Sequence, residues 1–480
     1  MNYRMIAYIL SRVLLIMAGL LLLPLITALV YGESALPFVV TVVLTALSGG
    51  ALLLFRPRTT EIYAREGFVC VGLSWAAMSL LGSLPFVISG DIPRFVDALF
   101  ETVSGFTTTG ASILNDIESL SRSGLFWRSF THWIGGMGVL VFLMAVLPMS
   151  GERSMHIMRA EVPGPTVGKL VPRAKQTARI LYMIYTLFTV AETIFLMLGG
   201  MSFYEALLHA FATAGTGGFS TRNASIAAFN SAYIEGVIAF FLVLFGMNFN
   251  LFYLVLIGRV REALRSEELH RYFEIILVSV ALIVLGTVRR YGLPGSLRNG
   301  FFITMTTLST AGFCTEDYML WPAFLQTLIV LLMFVGGCAG STGGGLKLSR
   351  VMLFIRSAAV DVGHMVNPRR VKRVMMDGKP VAPETTGAVY SYIALITLIL
   401  LGCTALVSFD GYDFSTNFTA ALSCISNIGP GLGKIGPSGN FSIFSDFSKL
   451  VMAVTMLLGR LEVYAILILF IPSTWKRTRG

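Results

Sequence analysis

Apolar runs of about 20 residues, long enough to cross a bilayer as helices, begin near Ile6, Leu36, Val69, Phe126, Ile180, Tyr233, Phe273, Leu325, Ala388 and Leu450. From Val69 onward they are separated by four apolar segments too short to cross, at 95–110, 203–218, 297–312 and 414–429. Segments of that length are more often re-entrant than spanning. The pattern predicts ten spans: two leading ones, then span, short segment, span, four times over. One run is interrupted. After Leu325 it breaks into Gly336-Gly337-Cys338-Ala339-Gly340-Ser341-Thr342-Gly343-Gly344-Gly345 before resuming. Open coil at membrane depth is tolerated only where protein or a water-filled cavity surrounds it.

The four short segments align without gaps. Each ends in Thr or Asn, any residue, then Gly: Thr108-Thr109-Gly110, Thr216-Gly217-Gly218, Thr310-Ala311-Gly312 and Asn427-Ile428-Gly429. Thirteen residues earlier stand Phe95, Phe203, Leu297 and Phe414; nine earlier, Leu99, Leu207, Phe301 and Phe418; five earlier, Val103, Phe211, Met305 and Leu422. Those columns form one stripe of a helix. Four earlier the residues are small (Ser104, Ala212, Thr306, Ser423); eleven earlier they are polar types suited to a helix start (Asp97, Glu205, Asn299, Thr416). Thr-x-Gly alone is a weak signal and recurs by accident, as at Thr342-Gly343-Gly344. Four copies in matching context imply pseudo-symmetry about a shared axis. The repeats divide the chain into 1–65 (the two extra spans), 66–152, 153–262 with its leading loop, 263–365 with the glycine segment, and 366–480.

Composition fixes the class. Mean hydropathy is +0.76, with 55% hydrophobic and 13% charged residues, which marks an all-α polytopic membrane protein. The net charge of +10 does not point to nucleic acid, because the basic residues cluster in short loops beside apolar runs. They fall at Arg56–Arg65, Arg153–Arg179, Arg259–Arg271, Lys347–Lys379 and Lys476–Arg479. The positive-inside rule puts these loops in the cytoplasm, and an even number of spans puts both termini there too. The five cysteines are scattered through apolar stretches without metal or disulfide spacing. The chain has no H-E-x-x-H, no G-x-S-x-G and no Asp pair within spans, so it is not read as an enzyme and no cofactor is expected.

Four re-entrant helices around one axis would aim their negative C-terminal ends at a central cavity. The Thr-x-Gly stretch then climbs back, and Gly permits backbone angles that let carbonyl oxygens face the axis. A carbonyl ring can replace the hydration shell of a cation such as K+ without formal charge. The glycine segment lies in the second span of the third repeat, where it would form a loop obstructing the pore below that ring. Two other readings are tight helix packing through small residues and a nucleotide P-loop. The P-loop fails because Leu346 follows Gly345, leaving Lys347 one place late and followed directly by Leu348 rather than Ser or Thr. Arg460 falls mid-span, where a charge is functional by default; it would face the cavity as a barrier to cations, or else form a structural ion pair. Glu462, two residues on, points elsewhere on a helix. Asp116, Glu118, Glu316 and Asp317 follow the turns and would either concentrate cations or sit in solvated loops. For Glu192 and His132 structural hydrogen bonding is the expectation, and for His209 simple packing in the second short helix.

The four turns, together with "RAEVPGPTVGKLVPRAKQTAR" (159–179), "AGSTGGGLKLSR" (339–350) and "SNIGPGLG" (426–433), resemble the Trk/Ktr/HKT superfamily of potassium-transporting membrane proteins. The resemblance covers nearly the whole chain, and the two extra spans favour its TrkH branch. It implies a single-chain counterpart of a tetrameric potassium channel in a bacterial inner membrane. It also implies K+ as the transported ion, a gating glycine loop, a homodimer with one pore per chain, and a cytosolic TrkA-type nucleotide-binding ring as partner. In this superfamily Gly at the third filter position of every repeat goes with potassium preference, and Ser in the first repeat with sodium; Gly110, Gly218, Gly312 and Gly429 fit the former. Gly215 stands where a Ser is expected, and Asn427 replaces Thr. A secondary symporter coupling potassium to protons or sodium remains the alternative, since broken helices and repeats also mark transporters. Membrane lipid is the only other partner expected, and the basic loops at 151–179 and 356–383 are the expected docking surfaces.

Overall fold

The structure is a computed structural model describing residues 1–55, 63–138, 174–367, 369 and 373–475. Arg56, Arg58, the loop up to Arg173 and Lys476–Arg479 lie outside the described residues, so most of the 151–179 docking loop does as well. The described residues are helical, apart from short connections and one hairpin pairing Met375–Met376 with Lys379–Pro380.

The chain is an all-α polytopic membrane protein built from four span, short helix, span units around a common axis, with two additional spans in front. The short helices start close to where the polar columns fall. Phe95–Phe106, Phe203–Ala214 and Phe414–Ser426 open on the three Phe residues of the alignment. Ser202 Oγ accepts from Glu205 N–H and Asp413 accepts from Thr416 N–H, satisfying first-turn donors that a helix leaves unpaired. In the third unit the helix Glu267–Leu308 turns at Gly292 (φ 68°), two residues before Pro294, so span and short helix follow one another without a loop.

Packing closes the units into a circle. Each short helix lies against the second helix of its own unit and the second helix of the preceding one. Phe203–Ala214 packs on Arg122–Met137, 293–308 lies in the helix that meets Ala232–Gly246, Phe414–Ser426 packs on Ala323–Val335, and Phe95–Phe106 packs on Asp446–Arg460. The leading helices Tyr3–Leu20 and Leu36–Leu53 pack on each other and beside the first unit. Leu187, Leu198, Leu277 and Leu285 stand exposed on the outer flanks of the spans, where hydrocarbon is the solvent.

The expectation of ten spans, of which only the third unit's second one is broken, is corrected. Six described helices are long and apolar enough to cross alone: Tyr3–Val30, Leu36–Leu53, Arg65–Ser89, Ala178–Leu198, Glu267–Leu308 and Pro383–Asp410. The second helix of every unit stops short. Arg122–Met137 ends at Gly138 (φ 79°), and Ala323–Val335 at Gly336 (φ 69°). Ala232–Gly246 bends by 87° into Phe249–Leu256. Asp446–Arg460 ends before left-handed Glu462 and Val463 (φ 52° and 65°). A break expected only in the third unit is therefore common to all four. Hydropathy sums side chains over a window and does not register one left-handed residue; such backbone survives at depth because these ends are enclosed by protein.

Candidate functional site

Each short helix ends in the same turn. Thr108, Thr216, Thr310 and Asn427 are left-handed (φ 53°, 53°, 64° and 53°). The next residue's N–H reaches back five residues: Thr109 to Ser104 O, Gly217 to Ala212 O, Ala311 to Thr306 O and Ile428 to Ser423 O, at 2.8–3.1 Å. The small column of the alignment thus supplies the acceptors. This is the helix-ending bond usually built around Gly; a non-glycine residue in that conformation costs roughly 1–2 kcal/mol. Strain of this kind repeated in four places persists because the surroundings over-determine it.

The third residue of each turn closes a ring. A Cβ added to Gly110 would lie 2.0 Å from Gly217 O; on Gly218, 2.0 Å from Ala311 O; on Gly312, 1.8 Å from Ile428 O; on Gly429, 2.9 Å from Thr109 O. The contacts run from unit one to two, three, four and back to one. Only hydrogen fits between neighbouring turns, so twelve residues noted in the alignment sit side by side on one axis. Asn427 adds a cross-tie, its side-chain amide donating to Thr109 Oγ1 (2.9 Å) and Met456 O (3.0 Å). Beyond the ring, on the side of the returning chain, a cavity of about 100 Å³ is bounded by the four glycines and Cys314. Among the described residues no cluster of three or more His, Cys, Asp or Glu is placed to hold a metal; the oxygens that the twelve turn residues carry are backbone carbonyls, Thr hydroxyls and the Asn427 amide. Asp116, Glu118, Glu316 and Asp317 lie at the rim and fasten loops: Asp116 and Glu118 accept from Asn223, Glu316 from Tyr291, and Asp317 from Ser438.

A second set of residues, of which the sequence had drawn attention only to His209 and Thr306, clamps each returning strand to its short helix. Buried Glu101 accepts from Ser112 Oγ (2.9 Å), Ile113 N–H (2.9 Å) and Arg128 Nε (2.7 Å). Arg128 in turn donates to Ser220 O and covers the Phe219 ring at 3.5 Å. His209 occupies the place of Glu101 in unit two; its Nε2 meets Ser220 Oγ at 3.0 Å, and Ser220 matches Ser112. Thr306 donates to Phe313 O, and Thr419 both donates to Leu432 O and accepts from Leu432 N–H. The readable signal was a polar residue seven before and Ser four after the Thr, in two of the four repeats. Breaking a buried pair by neutralising one partner costs about 3–5 kcal/mol. Glu101→Gln is therefore expected to lower the thermal unfolding midpoint in detergent by several degrees, while the exposed pair Arg259–Glu262 tolerates Glu262→Gln without measurable change.

Below the ring lies the glycine segment. Its chain turns through left-handed Gly336, Gly340, Gly345 and Lys347. Gly344 N–H donates to Thr310 Oγ1 (2.6 Å), and a Cβ on Gly343 or Gly344 would strike Ser309 O or Ser426 O. Cys338 N–H and Thr342 N–H donate to Gly246 O and Phe245 O, at the broken end of the second unit's inner helix. Lys347 Nζ folds back on Gly343 O and Ser341 Oγ. The segment is thus pressed against the undersides of the third and fourth turns.

Arg460 joins this loop to the rest. Its guanidinium donates to Thr342 O (2.7 Å) and to the carbonyls of Gly135 and Gly136 (2.6 Å for the latter), the last turn of Arg122–Met137. Cations favour the C-terminal end of a helix dipole. Glu462, set aside as an Arg460 partner from spacing, pairs with Arg350 at 2.7 Å. Gly215, where a Ser was expected, has no room for one: a Cβ there would lie 2.4 Å from His132 O. His132 itself stacks on Phe219 with ring centroids 4.0 Å apart, and Glu192 is fully buried in the Ala174–Leu198 helix.

Comparison with known proteins gives concordant matches. The family model of TrkH, described as cation transport protein, matches residues 37–477. The chain is similar to the Trk system potassium uptake protein TrkH of Escherichia coli K12, 35% identical over 485 residues covering 99% of this chain and 100% of the relative. It is similar to TrkG of the same organism, 34% identical with 94% of each chain covered. It also superposes on the crystal structure of the potassium transporter TrkH from Vibrio parahaemolyticus with a TM-score of 0.88 and 32% identity, covering 99% of this chain and 100% of the other.

Proposed function

Since this chain belongs to the TrkH family of cation transport proteins, we propose that it takes up potassium across a bacterial inner membrane through the passage its four turns encircle. The carrying observation is the ring itself: four equivalent glycine turns, each carbonyl-bearing backbone in contact with the next, and no carboxylate among them. Carbonyl dipoles replace the water shell of K+, and four short-helix C-termini add negative potential at the cavity. The twelve residues Thr108–Gly110, Thr216–Gly218, Thr310–Gly312 and Asn427–Gly429 form this filter. The face from which the short helices dip is external; both termini and the basic loops are cytosolic.

The glycine segment is the gate. Resting under the third and fourth turns, it obstructs the axis, and Arg460 holds it there while opposing cations by its charge. Opening requires exchange of the loop's hydrogen bonds for others, which glycine backbone accommodates at little steric cost. A cytosolic TrkA-type nucleotide-binding ring drives that change by docking on the lower face, and the membrane subunit is a homodimer with one pore per chain; relatives named as parts of a Trk system support the partner. The test is ion flux into liposomes holding the purified protein, with potassium or sodium gradients and a clamped potential. Potassium flux that exceeds sodium flux and reverses at the potassium equilibrium potential is expected. Flux that demands a proton or sodium gradient would replace the channel with a symporter.

A further inference from the structure

The glycine loop is fastened at a point that none of the motifs pointed to. Glu268 sits in the first turn of the Glu267–Leu308 helix and is 5% exposed. One of its carboxylate oxygens accepts from Ala339 N–H (2.7 Å), inside the loop, and from Ser349 N–H (3.1 Å), just beyond it. Ser349 is the second residue of the helix Leu348–Val366, whose own N-cap residue, Lys347, makes no side-chain cap bond. A carboxylate from a different helix therefore caps this one, where unpaired N–H groups and the dipole favour negative charge. The same oxygen ties the two limbs of the loop together, ten residues apart in sequence.

Glu268 is held in position from the other side. Ser266 caps its helix through Leu269 N–H. Next to it, Glu267 N–H donates to Asp377 Oδ1 (2.8 Å), the Glu267 carboxylate pairs with Arg356, and Arg356 donates to Met375 O (2.7 Å). The turn that presents Glu268 is thus braced by the hairpin and by the helix that leaves the loop.

We propose that Glu268 is a positioning residue of the gate: its carboxylate is the clasp that keeps the glycine loop folded beneath the ring, and opening requires its two bonds to be released. This rests on the reading of the glycine segment as the gate. Bonds to a charged acceptor are stronger than neutral ones, and Glu268→Gln keeps the shape while removing the charge.

The experiment uses the full chain in liposomes without any regulatory partner. Three proteins are compared by passive potassium flux: parent, Glu268→Gln, and a deletion of 336–345. Flux through Glu268→Gln is expected to rise roughly tenfold over the parent. In parallel, thiol labelling from the side of the basic loops is timed in two single-cysteine backgrounds, one keeping Cys338 in the loop and one keeping Cys424 in the fourth short helix; both are buried. Glu268→Gln should speed Cys338 labelling and leave Cys424 unchanged, and Glu268→Asp should fall between Gln and parent. Should the Gln variant fail to reach the membrane, Asp carries the same comparison. Parent-like flux and labelling in Glu268→Gln, alongside a leaking deletion, would overturn the clasp and leave the gate standing. Faster labelling of both cysteines would reduce Glu268 to a general structural role and also overturn it. A deletion that does not leak would remove the gate reading itself.

Discussion

Gly110→Ser is expected to abolish discrimination between potassium and sodium, lowering the flux ratio by at least about tenfold, because the ring leaves no space at this residue. A Cβ would stand 2.0 Å from Gly217 O, well inside van der Waals contact, so the neighbouring turn must withdraw its carbonyl. The left-handed backbone (φ 77°) adds roughly 1–2 kcal/mol of strain for any side chain. A tenfold ratio corresponds to only about 1.4 kcal/mol of differential ion stabilisation, less than the displacement of one ligand should cost. The four positions should not respond equally. Gly218→Ala and Gly312→Ala meet carbonyls at 2.0 and 1.8 Å, whereas Gly429→Ala meets Thr109 O at 2.9 Å and is expected to be the mildest. Liposome flux with each cation in turn checks the order. Unaltered selectivity in Gly110→Ser would mean that ions do not pass these turns.

Arg460→Ala is expected to increase resting potassium flux by tenfold or more. Three carbonyls hold the guanidinium: one on the glycine loop and two at the end of Arg122–Met137. Its loss frees the loop from the first unit and, on the proposed route, removes a positive charge from the ion path. Two unit charges 4 Å apart at an effective dielectric of 20 repel by about 4 kcal/mol, so even a partial contribution is visible in flux. Arg460→Lys separates the effects. It retains the charge but not the planar fork that reaches several carbonyls, so leak in Lys below that in Ala measures the electrostatic part. Deleting 336–345 should leak at least as much. Resting flux at the parental level in both would show that neither the arginine nor the loop limits conduction.

Much of this architecture is legible in one dimension. Apolar run length marks where chain can cross, and the columns ending in Thr108, Thr216, Thr310 and Asn427 identify four equivalent turns, because helix periodicity and end signals depend on neighbours a few residues away. What folding alone decided is which distant groups meet: Glu101 with Arg128, Arg460 with the carbonyls of Gly135 and Thr342, Glu268 with both limbs of the glycine loop. Backbone carbonyls and N–H groups occur at almost every residue, so no residue type announces where they will be used. The same holds for the breaks in all four inner helices, three of which an unbroken apolar run conceals. Local pattern specifies the parts and their symmetry; the close approach of backbone around the axis, which turns the parts into a ring with the glycine segment pressed beneath it, exists only once the four units are packed.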